Sequence, residues 1–188
     1  MTENLSLETT RKRSLEIMHK GMIAYKLAKL GLDVSEHLGD GFDFIVPINN
    51  SGITKNIKIE LKAVDIDSYS GTTNGFSQYI SANEIVASTH LIVSIFDNIK
   101  PMGHYIMTIK QVFQAIKEKN TSKYVSYKNF QEYKNDCITA VKKKTAKRKG
   151  STLIVPRMHI DIGCSFKKLA KDKWELEPFN NQWDNLRI

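Results

Sequence analysis

Residues 43–63 read DFIVPINNSGITKNIKIELKA, and the fold turns on how this stretch is parsed. Within Lys55 to Ala63 apolar and polar residues alternate strictly from Asn56 on: Ile57, Ile59 and Leu61 point one way, while Lys58, Glu60 and Lys62 point the other. Residues 43–48 read as the strand before it, and Asn49, Asn50, Ser51 and Gly52 supply turn chemistry. With Ser51-Gly52 as a two-residue hairpin loop, position i pairs with 103 − i, so Asp43 falls directly opposite Glu60. Opposed residues have Cβ atoms about 4.5–5.5 Å apart, close enough for two carboxylates to share one divalent cation. A loop longer by one or two residues would shift that pairing.

Working outward, residues 8–30 carry Leu15, Met18, Met22, Tyr25 and Leu30 at helical spacing, with Gly31 as a stop. A short strand is expected at 32–37. Beyond the hairpin, residues 68–75 form a polar, Gly-containing loop and Phe76 to Ile80 a short strand. Ser81 and Glu84 have the spacing of a capping box, which predicts a helix over 82–88. The apolar run HLIVSIF predicts a strand at 90–96, followed by a strand at 104–109 and a helix at 110–118. Further on, 127–147 reads as helix, 152–156 as a strand and 164–171 as a helical turn or two. The tail carries Trp174, Phe179 and Trp183; the two tryptophans suit closing the core first and a dimer contact second. There is no repeat and no linker composition. The chain therefore reads as one domain over 1–188, with a core at 8–97 and an elaboration at 98–188.

The 188 residues suffice for one core, and 41% hydrophobic with 26% charged residues excludes a wholly disordered chain. Lys and Arg number 28 against 20 Asp and Glu, a net +8 that favours polyanionic partners. Two cysteines, Cys137 and Cys164, provide neither a disulfide framework nor a four-cysteine zinc site. No apolar run approaches the roughly 20 residues of a membrane span. The N-terminal MTENLSLETTRKRS lacks the apolar stretch of a secretory signal, so no membrane partner and a cytoplasmic setting are expected.

Glu60 and Lys62 leave the same face of their strand, with Asp43 opening the strand before it. Two acids side by side raise each other's pKa unless a cation intervenes. Hard oxygen ligands with no His or Cys pair nearby point to Mg²⁺, with Mn²⁺ as the alternative, rather than zinc. A lysine beside such a cation can orient a water or oppose negative charge on a phosphate, an arrangement suited to phosphodiester hydrolysis.

Asp43 followed by Glu60-Leu61-Lys62, on a helix-strand-strand-strand-helix-strand background, resembles the PD-(D/E)XK nuclease superfamily. The resemblance covers about residues 8–97. Gly41-Phe42 stands where the literal motif has Pro before the aspartate. The resemblance implies an α/β fold with a restriction endonuclease-like three-layer core, a mixed sheet flanked by helices, here with a C-terminal α/β elaboration. It implies Mg²⁺-dependent cleavage, with Asp43 and Glu60 as metal ligands and Lys62 as the catalytic lysine. Glu16 matches the glutamate that family members often carry on the first helix near the metal. Asp40 is a substitute for Asp43 as ligand, although Asp is expected in a Gly-Asp-Gly turn for backbone reasons alone. Gln78 lies where some members place a polar residue near the phosphate. The same Glu-x-Lys triplet recurs at Glu132-Tyr133-Lys134, in a segment that reads as helix with no acidic strand opener upstream.

The run KKKTAKRK holds six basic residues in eight: Lys142, Lys143, Lys144, Lys147, Arg148 and Lys149. Such a run suits phosphate contacts, which give affinity without sequence information. Arg11, Lys12 and Arg13 form a second, smaller cluster. The five histidines form no metal-ligand spacing, and no phosphate-binding glycine loop or Ser-His-Asp arrangement is present. The expectation is a Mg²⁺-dependent endonuclease acting on double-stranded DNA as a homodimer. The length beyond the core suits a restriction-type enzyme. A Holliday junction resolvase or repair nuclease would use the same site, and a non-catalytic nucleic-acid-binding protein of this fold is the alternative from another class.

Overall fold

A computed structural model describes residues 2–65, 76–97, 99–118, 127–146, 158–162 and 179–186. The elements are helix α1 (Thr2–Lys29), strands β1 (Ser35–Glu36), β2 (Phe44–Asn50), β3 (Ile53–Asp65) and β4 (Phe76–Ile80), helix α2 (Ala82–Ala87), strands β5 (His90–Asp97) and β6 (Lys100–Thr108), helices α3 (Ile109–Glu118) and α4 (Phe130–Ala146), and strand β7 (Met158–Ile162). A short 3₁₀ turn covers Trp183–Leu186.

The main sheet has the order β1-β2-β3-β5-β6. Pairing is antiparallel except between β3 and β5, which are parallel and joined by the crossover that contains α2. The architecture is thus α/β, with a mixed five-stranded sheet covered on both faces. Strict alternation along β3 decides which residues go where. Ile57, Ile59 and Leu61 join Phe44, Val46, Ile92 and Ile106 on the face packed against Ile23 and Leu27 of α1, with Trp183 and Leu186 closing the cluster. Val64, Leu91, Val93, Ile95 and Met107 face the other way, towards Ile85 of α2, Val112 and Phe113 of α3, and Tyr133 and Cys137 of α4. The buried face of α1 recurs every four residues at His19, Ile23 and Leu27, the period that brings successive turns onto one sheet face.

Several boundaries depart from the sequence reading. Helix α1 begins at Thr2 rather than 8, adding residues in which only Leu5 and Leu7 are apolar, two apart and so off helical spacing. The strand expected at 32–37 shrinks to Ser35–Glu36, because Leu32 and Val34 pack on the α1 side as loop. Strand β6 starts at Lys100, four residues before its expected start. The strand expected at 152–156 and the helical turns at 164–171 lie outside the described residues, as does Trp174. β7 was not anticipated; it pairs antiparallel with β4 in a separate two-stranded sheet. Trp183 is buried in the core.

Candidate active site

The β2–β3 hairpin sets the geometry. Ser51 (φ 51°) and Gly52 (φ 83°) both take left-handed conformations, as a two-residue type I′ loop requires. The register follows: Asn50 pairs with Ile53 and Phe44 with Ile59, each pair summing to 103. Asp43 lies one step before the last pair of the ladder, and its N–H donates to the carbonyl of Ile59, the residue paired with Phe44, at 2.8 Å. Where β2 ends, the Leu61 N–H would lack a partner on that side, and Asp43 Oδ2 accepts it at 2.8 Å. The hairpin thus brings the Asp43 carboxylate against the Glu60-Leu61 peptide. Its carbonyl also accepts from the His37 N–H at 2.7 Å, which fixes the loop from β1.

Glu60 is 7% exposed, unusual for a carboxylate. The parallel partner strand sets Leu91 beside Glu60 and Val93 beside Lys62, so both acid and amine leave the sheet onto an apolar surface. Glu60 Oε1 lies 2.7 Å from Lys62 Nζ, and Lys62 Nζ lies 2.9 Å from Glu84 Oε1 on α2. Burial pushes the Glu60 carboxyl up to about 7, against the pull of Lys62 and with help from the charges of Glu84 and Asp43. For Lys62 burial works against the charged form, yet Glu60 and Glu84 outweigh it and its pKa rises. Burial also opposes ionisation of Glu84, but bonds from Lys62 and the Ser81 N–H prevail and its pKa falls. On the other side Lys20 Nζ of α1 lies 2.8 Å from Asp43 Oδ1 and 3.4 Å from Glu36 Oε1. The bond to Asp43 raises the Lys20 pKa against partial burial.

The structure brings Asp43, Glu60 and Lys62 together. Glu16 is exposed on α1, one turn before Lys20, and among the described residues no contact joins it to the three. Asp40 sits exposed in its turn. Gln78 belongs to the separate β4–β7 sheet, opposite Ile160. Lys142 is exposed towards the end of α4; Lys143 and Lys144 continue that helix, their side chains outside the described residues. Lys147, Arg148 and Lys149 lie outside the described residues. The second Glu-x-Lys triplet is dispersed around α4: Tyr133 is fully buried, Glu132 accepts from the Lys128 N–H at 2.7 Å, and Lys134 lies over the Phe130 ring.

Two participants escaped the sequence reading. Glu84 was legible only as half of a capping box, and Lys20 carried no local signal within the helix expected at 8–30. Both reach the site through long-range packing that no local pattern announces. Among the described residues, no three His, Cys, Asp or Glu side chains converge as a ready metal cluster. The acids instead form a row of ion pairs, with Lys20 on Asp43 and Lys62 between Glu60 and Glu84. Neither a protein-family model nor a curated protein sequence matches this chain.

Proposed function

We propose that this chain is a Mg²⁺-dependent DNA endonuclease of the PD-(D/E)XK type, with a restriction endonuclease-like core. The observation that carries the reading is the hairpin register: it sets the Asp43 carboxylate against the Glu60-Leu61 peptide, with Lys62 2.7 Å from Glu60. The donor set fits the cation. Mg²⁺ is commonly held by one or two carboxylates and otherwise by water and substrate oxygens, so Asp43 and Glu60 suffice without a third ligand. Mn²⁺ takes the same oxygen donors. A buried carboxyl with a pKa near 7 also gains from a cation that compensates its charge.

When bound, the cation supplies polarisation of the phosphoryl group and a water of lowered pKa. Asp43 enters this role already oriented, because one of its oxygens is fixed by the Leu61 N–H. Glu60, buried beside Leu91, presents its carboxylate in a low-dielectric surround where charge interactions strengthen. The Lys62 ammonium stays charged between two carboxylates and donates hydrogen bonds to the oxygens on which negative charge grows. Lys20 adds a second cation at the Asp43 side for an approaching phosphate. One site per chain and a two-stranded substrate favour a homodimer, with a restriction-type role as the first choice and junction or repair cleavage as the second.

Supercoiled plasmid incubated with Mg²⁺, with Mn²⁺, and with EDTA tests the reading. Relaxation or linearisation that needs the cation supports it. Salt-sensitive DNA binding with no cleavage under any cation overturns it in favour of a non-catalytic binding protein.

A further inference from the structure

Helix α2 opens with a reciprocal cap. The Ser81 hydroxyl accepts from the Glu84 N–H at 3.3 Å, and the Ser81 N–H donates to Glu84 Oε2 at 2.6 Å. The cap uses one carboxylate oxygen, and glutamine serves there as well as glutamate. The second oxygen, Oε1, is surplus to helix initiation, and it is the one that accepts from Lys62 Nζ at 2.9 Å. Lys62 hangs on a stem of four rotatable bonds, yet its side chain is only 17% exposed because its ammonium is pinned from both sides. The far end of α2 is tied as well. The Ser88 hydroxyl donates to the Gly41 carbonyl at 2.8 Å, two residues before Asp43. Gly41 has φ +103°, and a Cβ there would stand 2.7 Å from the Ala87 methyl, so only glycine lets that loop lie on the helix. With Ile85 fully buried between these ties, α2 is a short strut joining the loop before Asp43 to the amine of Lys62.

We infer that Glu84 is a positioning residue, holding the Lys62 ammonium in register with Glu60 for the phosphate; the inference rests on the nuclease reading of the site. Two substitutions separate this role from capping. Glu84→Gln keeps an oxygen for the Ser81 N–H but offers the ammonium an amide nitrogen, whereas Ser81→Ala loosens the cap and leaves the acceptor for Lys62. In Mg²⁺-dependent cleavage, Glu84→Gln lowers kcat roughly ten- to a hundredfold with KM within about twofold, and its melting temperature stays near that of the parent. Ser81→Ala lowers the melting temperature and leaves kcat close to the parent value. Unchanged kcat in Glu84→Gln, or losses in both variants that follow stability alone, overturn the role. Should the unsubstituted protein cleave no DNA, the nuclease reading fails, and the positioning role is judged on the protein itself by ¹⁵N spectra of its lysine ammonium groups. A slowly exchanging Lys62 signal lost in Glu84→Gln supports it, and a signal unaltered by that substitution refutes it.

Discussion

His19 gives the sharpest quantitative test of how α1 is fastened beside the site. It sits on the buried face of α1, next in sequence to Lys20, which holds Asp43. His19 Nε2 lies 2.6 Å from Ser94 Oγ, and the same oxygen lies 2.8 Å from His104 Nδ1. One hydroxyl carries one proton, so Ser94 donates to one imidazole and accepts from the other. Burial, reinforced by the neighbouring His104 and only partly offset by Asp43, lowers the His19 pKa to about 4. The unfolded chain takes up this proton near 6.5, whereas the fold refuses it until the pH approaches 4. The stabilisation is therefore complete above the unfolded pKa and is lost as pH falls through that window. A displacement of about 2.5 pH units corresponds to about 3 kcal/mol in all, of which about 2 kcal/mol is gone by about pH 5. Urea unfolding at about pH 7.5 and about pH 5 should show the unsubstituted protein losing about 2 kcal/mol more than His19→Gln, whose amide can bond Ser94 without titrating. His90 is present in both proteins and cancels, while His104 shares Ser94 with His19, so the difference reports His19 together with its coupling to His104. Equal losses would refute the reasoning, because His19 would then not be held neutral in the fold.

Three further outcomes follow from the geometry. Glu60 titrates near 7 because burial raises it, so a cation must displace its proton at low pH; apparent Mn²⁺ affinity by calorimetry should rise about tenfold between about pH 6 and pH 8. An affinity independent of pH would remove Glu60 from the cation's ligands. Gly52→Ala meets nothing within 4 Å, so its cost is the left-handed backbone alone, about 1 kcal/mol in urea unfolding. A neutral result would contradict the two-residue hairpin loop on which the Asp43 register depends. Ile23→Ala removes a fully buried contact between α1 and the sheet and should cost about 2–5 kcal/mol, seen as a lower urea midpoint at unchanged slope.

The hairpin was legible because two local signals agreed: eight strictly alternating residues, Asn56 to Ala63, and a Ser-Gly turn. Together they leave one register in which Ile57, Ile59 and Leu61 reach the core. β5 was legible from its apolar run, which burial on both faces demands of a central strand next to a parallel partner. What local pattern does not encode is which side chains meet across elements. Ser81 and Glu84 announced a helix start, but that Glu84 would reach Lys62 depends on how the crossover lays α2 over β3. Lys20 likewise reads as one charge among many until α1 is docked and its ammonium meets Asp43. Short elements fared worst: Met158–Ile162 becomes a strand only because Phe76–Ile80 is there to pair with it.

The central claim is that Asp43, Glu60 and Lys62 form a working phosphodiesterase site. The most direct measurement is cleavage of plasmid, genomic and branched DNA with Mg²⁺ or EDTA by the unsubstituted protein, Glu60→Ala and Lys62→Ala, with Glu132→Ala as the control at the second triplet. The account predicts cation-dependent cutting that is lost in the first two variants and kept in the third. Cutting that survives both Glu60→Ala and Lys62→Ala would contradict it.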